Sequence, residues 1–161
     1  MILKNILSKS DRTVIKNWFD NHKNKKIDFQ VKGTLIIRQD RFLDQYLDKF
    51  RYILQNETGY LLKNQYTGIR MYTKGYSCER HVDNAAQFAI SIIIHQSDTS
   101  ENPLILYTNP PTTIILNEGD GVYFKGMDVI HERLPVKSDE LLHLYLGYNI
   151  IHNSPRQTRL I

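Results

Sequence analysis

The sequence predicts a mainly β protein, a jelly roll or barrel, with helices packed on one outer face of a sheet. Three observations predict it. From Tyr66 onward short apolar runs follow one another, separated by the turn signals "SDTSENP", "TNPPT", "NEGDG" and "KSDE". Before Tyr66 apolar residues recur mainly at helical spacing. Ten tyrosines and six phenylalanines also favour a β-rich fold.

The first helix is expected to start at Ser10, a suitable N-cap, with Asp11 in its first turn. Val14, Ile15, Trp18 and Phe19 form its apolar face. "KIDFQVKGTLII" alternates well enough for one or two strands. A second helix is predicted from about Asp40 to Gln55, with Phe42, Leu43, Tyr46, Leu47, Phe50 and Leu54 on one side. The glycine of "NETG" ends it. Strands are then expected at 66–73, 79–83, 87–95, 103–108, 112–116, 121–125, 129–133 and 140–149. About eight short strands with regular punctuation suit a jelly roll or barrel. No repeat and no linker divides the chain, so a single domain is expected: a helical support region (1–60), a β core (61–150) and a tail (151–161).

The bulk composition is that of a soluble globular domain: 161 residues, 41% hydrophobic and 24% charged. The net charge is +4, with lysines clustered in "HKNKK" and with Arg156 and Arg159 near the end. A scattered basic surface of this size does not by itself point to nucleic acid. Cys78 stands alone, so no intramolecular disulfide can form, which argues for a reducing compartment. No apolar stretch is long enough to span a bilayer, and "MILKNILSKS" is too short in its apolar core for a signal peptide. A cytoplasmic protein without a membrane partner is the expectation.

Within the strand-rich region, "ERHVDN" offers metal-ligand chemistry. Residues i and i+2 of a strand point to the same side, so His81 and Asp83 can converge on one ion. His131 is the best third candidate. Two imidazoles and one carboxylate make a facial triad that leaves coordination positions open, as non-haem Fe(II) oxygenases require. The alternative is that all three are polar residues at strand ends. His22, His95 and His152 are expected not to be ligands. Gly119, Asp120 and Gly126 read as turn residues, and Tyr107 and Tyr123 as packing residues.

Taken in order, the segments "IRMYTKGYSCERHVD", "FAISIIIHQ", "NPLILY", "LNEGDGVYFKGMDVIHERLPV" and "LLHLYLGYN" resemble the Fe(II)/2-oxoglutarate-dependent oxygenase superfamily, in its prolyl-4-hydroxylase-like branch. The likeness covers roughly residues 57 to 150. It implies a double-stranded β-helix, a jelly roll of about eight strands with the N-terminal helices on one outer face. It implies Fe(II) held by His81, Asp83 and His131, with 2-oxoglutarate and O2 as cosubstrates. It also implies hydroxylation of a C–H bond with release of succinate and CO2.

The distal carboxylate of 2-oxoglutarate needs a basic anchor. Prolyl hydroxylases place a Lys or Arg about ten residues after the distal histidine, where this chain has Leu141 and Leu142. Arg133, two residues after His131, is the expected substitute, since a guanidinium suits bidentate carboxylate recognition. Arg70 and Tyr72 share one face of an earlier strand and come next. His143 lies on the last strand near the usual anchor position, on one face with Tyr145, and Lys125 is a weaker option.

The likeness suggests a protein or peptide side chain as substrate, with prolyl as one choice. A free amino acid or other small metabolite fits equally, and nucleic-acid oxidation stays a minor option. Segments 72–80 and 97–103, with the tail, are expected to flank the barrel mouth. The rival from another class is a non-catalytic, cupin-like barrel that binds metal or a ligand.

Overall fold

A computed structural model describes residues 1–151 of the chain. Residues 152–161, with His152, Arg156 and Arg159, lie outside the described residues, and so does nearly all of the expected tail.

Two helices precede the β core. Helix α1 (Lys9–Asn21) is capped by Ser8, whose Oγ accepts the Asp11 amide at 3.1 Å. The cap thus lies two residues before the expected Ser10, which is inside the helix. Helix α2 (Arg41–Thr58) is capped by Asp40, whose Oδ1 accepts the Phe42 amide at 2.8 Å. It ends at Gly59, where φ is +74°, a backbone angle that glycine adopts without strain.

The strands are β1 (Ile2–Leu3), β2 (Lys26–Ile27), β3 (Leu35–Arg38), β4 (Leu62–Thr73), β5 (Cys78–His81), β6 (Phe88–Gln96), β7 (Leu104–Leu106), β8 (Thr112–Ile114), β9 (Gly121–Phe124), β10 (His131–Arg133) and β11 (Glu140–Ile150). They form two sheets, ordered β1-β9-β6-β11-β4-β3-β2 and β5-β10-β7-β8. All pairings are antiparallel. Strands β4 to β11 divide evenly between the sheets, which is the expected jelly roll. The short strand β1 was not visible as a pattern, because two residues show no period. It joins the large sheet by pairing Ile2 with Val122.

Alternation along the central strands sorts the two faces of the large sheet. Leu142, Leu144, Leu146 and Tyr148 of β11, with Ile90, Ile92 and Ile94 of β6, pack against Ile15, Phe19, Leu43, Leu47, Phe50 and Leu54 of the helices. The helices therefore cover the outer face, as expected. Burying each such side chain contributes about 1.5–3 kcal/mol. The alternate residues of β11 face the space between the sheets. Leu141 joins an apolar cluster there with Tyr72, Ile93, Leu104, Leu106 and Val122, whereas His143 and Tyr145 line a cavity. Among the described residues no helix is long and apolar enough to cross a membrane.

Candidate metal centre

His81 closes β5, and its register partner on β10 is His131. The imidazole centroids therefore come within 4.3 Å. Asp83 lies just past the end of β5, held by its amide N–H donating to the Gly126 carbonyl at 2.9 Å. Asp83 Oδ1 is 4.0 Å from His81 Nε2 and 3.8 Å from His131 Nε2. One ligand atom from each of the three lies within 4.8 Å of the others.

Both imidazoles are oriented by backbone. His81 Nδ1 donates to the Glu79 carbonyl at 2.7 Å, and His131 Nδ1 donates to the Val129 carbonyl at 2.9 Å. A carbonyl can only accept, so each Nδ1 carries a hydrogen and each Nε2 faces Asp83, where it can ligate in the neutral form. Phe124 packs edge-on against His131, with centroids 4.7 Å apart. Burial holds the His131 pKa below its ordinary value, which favours the neutral form that ligates. The more exposed His81 is pushed up to about 9, first by the Cys78 sulfur beside Nδ1 and then by the Glu79 carbonyl and Asp83.

Gly126 has a role that the turn reading missed. A Cβ at this position would collide with the Asp83 carboxylate. Its φ is not in the left-handed region, so the absent side chain matters for space rather than for backbone shape. Asp120 is also more than a turn residue. Its carboxylate accepts from Lys4 Nζ at 2.7 Å, from the Asn5 amide at 3.0 Å and from the Asn117 amide at 3.2 Å.

The triad opens onto a cavity of about 690 Å³ between the sheets. Arg133, Tyr72, Arg70 and His143 all line it. Arg133 is only 3% exposed. Its Nη1 donates to the Asn102 carbonyl at 2.9 Å, while its buried Nη2 has no hydrogen-bond partner of normal geometry among the described residues. His143 is held by Ser91 Oγ against Nε2 at 2.6 Å, and its buried Nδ1 likewise has no partner among the described residues. Burial, with Arg133 and Arg70 nearby, keeps the His143 pKa well below ordinary, so the ring is neutral. Burial raises the Tyr72 pKa, so its hydroxyl keeps its proton.

Arg70 is differently employed. Its Nε and Nη2 donate to Asp28 Oδ2 at 3.0 and 2.6 Å, and its Nη1 donates to the Tyr72 hydroxyl at 3.2 Å. Lys125 sits outside the cavity lining, 4.0 Å from Asp128. Of the other histidines, His22 caps α1 and packs on Trp18, and His95 pairs with Glu118 at 3.0 Å. Tyr123 belongs to the helix-side core, and Tyr107 is fastened to Arg80 and Glu132.

The mouth is built differently from the expectation. Glu79 and Arg80 line the cavity, but no residue of 97–103 does. That loop instead backs Arg133 through the Asn102 carbonyl. The β2–β3 hairpin supplies Gln30, Val31 and Arg38 to the lining.

No family model matches the chain, and no curated protein matches it. Solved structures do. A Pseudomonas putida prolyl-4-hydroxylase aligns with a TM-score of 0.76 at 17% identity, over 94% of this chain and 92% of that one. A 2OG-Fe(II) oxygenase family oxidoreductase from Burkholderia pseudomallei aligns with a TM-score of 0.77 at 12% identity, over 98% and 88%. HygX from Streptomyces hygroscopicus, with nickel and 2-oxoglutarate bound, aligns with a TM-score of 0.78 at 7% identity, over 96% and 84%. The chain shares its jelly-roll fold with these three proteins over nearly its whole length.

Proposed function

We propose that the chain is an Fe(II)- and 2-oxoglutarate-dependent dioxygenase that hydroxylates a C–H bond and releases succinate and CO2. The substrate is a protein or peptide side chain, with prolyl as one choice, or a free amino acid or other small metabolite. The observation that carries this reading is the pairing within one cavity. A His–Asp–His group offers three convergent ligand atoms, and Arg133 offers a buried guanidinium nitrogen with no hydrogen bond of normal geometry among the described residues. An unpartnered buried donor is costly unless a ligand satisfies it. The solved neighbours support the reading, since a viral collagen prolyl hydroxylase and HygX bind 2-oxoglutarate in the same fold. A Trichoplax adhaerens prolyl hydroxylase in complex with a peptide fragment supports a peptide substrate.

Iron with 2-oxoglutarate and O2 supplies the oxidising power when bound. His81, Asp83 and His131 hold the metal and leave open positions for the cosubstrates. Arg133 Nη2 binds the distal carboxylate, and Tyr72 and the neutral His143 Nδ1 hydrogen-bond beside it. Arg70, fixed by Asp28, orients the Tyr72 hydroxyl. The apolar residues Ala89, Leu104 and Phe124 on the cavity wall limit water around the metal.

The test is anaerobic addition of Fe(II) and 2-oxoglutarate, read as the visible charge-transfer band of the chelate. Its appearance is expected. Metal binding without the band would instead leave a non-catalytic metal-binding barrel.

A further inference from the structure

Arg38 lines the cavity apart from both the metal centre and the cosubstrate anchor. Arg38 ends β3, and its register partner on β4 is Gly68, which in turn pairs with Tyr145 of β11. A Cβ on Gly68 would collide with the Tyr145 ring, and one on Gly147 would stand 2.6 Å from the Tyr66 ring. The two glycines thus make room for two tyrosine rings over the sheet, 5.9 Å apart and edge to face. Tyr66 and Tyr145 line the same cavity as Asp83, so this wall and the metal centre share one space. Among the described residues the Tyr145 hydroxyl is buried without a hydrogen bond of normal geometry, and its cationic neighbours are Arg70, whose guanidinium lies 5.3 Å from the ring centroid, and then Arg38.

The charges on this wall do not cancel. Asp28 is buried and faces two guanidiniums. Arg70 takes the short contacts, at 2.6 and 3.0 Å, while Arg38 stands at 3.4 and 3.5 Å. Two cations over one carboxylate leave one positive charge in excess, and the distances put it on Arg38. Its short hydrogen bond, 2.6 Å from Nη2, runs to the exposed Gln30 side chain, which water or a ligand can replace. The Arg38 side chain is 45% exposed at the cavity mouth. Arg80, also at the mouth, stacks on Tyr107 and is tied to Tyr107 and Glu132. Lys26 and Lys32 stand exposed on the Arg38 hairpin and add to the attraction for an anion. Glu79, on the other sheet, is an exposed acidic residue of the lining.

We propose that Arg38, with the Tyr145 hydroxyl, binds a carboxylate of the substrate, so that the substrates are carboxylate-bearing molecules rather than uncharged peptide interiors. This rests on the oxygenase reading above and specifies its substrate. A guanidinium fork and a phenol suit a carboxylate through charge-assisted hydrogen bonds. The carboxylate can belong to a free amino acid or to the end or an acidic side chain of a peptide.

The test uses the full chain loaded with Ni(II) and 2-oxoglutarate, and saturation-transfer NMR. One arm presents free L-amino acids and their primary amides. The other presents short peptides with free or amidated carboxylates. The expected result is binding of at least one acid, with its amide at least tenfold weaker. Arg38→Met should lose at least tenfold in affinity for that acid, and Arg38→Lys should recover part of it. Affinity for 2-oxoglutarate should stay unchanged in both variants. The arm in which the acid binds identifies its source. Equal binding of acid and amide, no acid bound in either arm, or unaltered acid binding by Arg38→Met overturns the proposal. Loss of 2-oxoglutarate binding in Arg38→Met also overturns it, because Arg38 would then serve the cosubstrate. A wild-type protein that binds metal but not 2-oxoglutarate removes the oxygenase reading itself, and the proposal with it.

Discussion

At position 126 one methyl group decides whether Asp83 can reach the site. Its Cβ would occupy the space of the carboxylate. Gly126→Ala should therefore lower metal affinity about 10–100-fold, the scale seen when a ligand's support is disturbed. Metal titration read against the thermal midpoint checks this, since the fold should survive. Arg133→Met should weaken 2-oxoglutarate binding by at least about 30-fold, because breaking a buried charge pair costs about 2–5 kcal/mol. Metal affinity should not change, and equilibrium dialysis with each ligand separates the two effects. The convergence of His81, Asp83 and His131 was legible in their spacing and order, although Asp83 lies just past β5 rather than on it. Arg133 was legible for the same reason, lying two residues beyond His131. Gly126 and Arg38 were not. The meaning of each depends on a side chain brought beside it by folding, Asp83 in one case and Asp28 with Tyr145 in the other.

Among the elements, the turn between β8 and β9 does more than reverse the chain. Asp120 takes Lys4 and the Asn5 amide, fastening the segment that carries β1. Glu118 takes Arg12 of α1, His95 and the Gln96 amide, fastening α1 to β6. Gly119, at φ +85°, allows the Leu7 carbonyl to approach, since a Cβ there would stand 2.7 Å from it. The turn itself was readable from "NEGDG". The clamp was not, because Lys4 and Asp120 are 116 residues apart in sequence. Burial works against both carboxylates, yet the donors around Asp120 and Glu118 hold their pKa values below the ordinary 3.8 and 4.5. A depressed folded-state pKa adds stability above the unfolded value, and that stability is lost as pH falls through the folded one. Asp120→Asn should thus cost about 1–3 kcal/mol at neutral pH, the scale of a disturbed buried hydrogen-bond site. The gap to wild type should narrow as pH falls below the unfolded value of 3.8 toward the depressed folded one, where the wild-type carboxylate also protonates. Urea denaturation at pH 7 and pH 3 measures both. An equal gap at the two values would show that the clamp is not electrostatic.

Across the whole molecule, the two sheets are held together unequally. The helix-side core welds α1 and α2 to the large sheet. Between the sheets, the apolar cluster around Ile93, Leu104, Val122 and Leu141 fills only part of the space. The rest is the polar cavity, with His81, His131 and Arg133 on the small sheet and Tyr72 and His143 on the large one. A ligand held by Arg133 and Tyr72 therefore bridges the sheets, and its binding energy adds to folding stability. At a hundredfold excess over Kd this amounts to about 2.7 kcal/mol. For a chain of this length that is about 5–10 °C in Tm. Metal alone should give one increment and metal with 2-oxoglutarate a second. Arg133→Met should keep the first and lose the second. Phe50→Ala, in the helix-side core away from the cavity, should lower Tm by the cost of a core cavity, about 3–5 kcal/mol, yet keep both increments. Differential scanning calorimetry of the three proteins, each with and without the two ligands, separates anchoring from general stability. A second increment retained in full by Arg133→Met would move the carboxylate anchor to another group, with His143 the next to be changed.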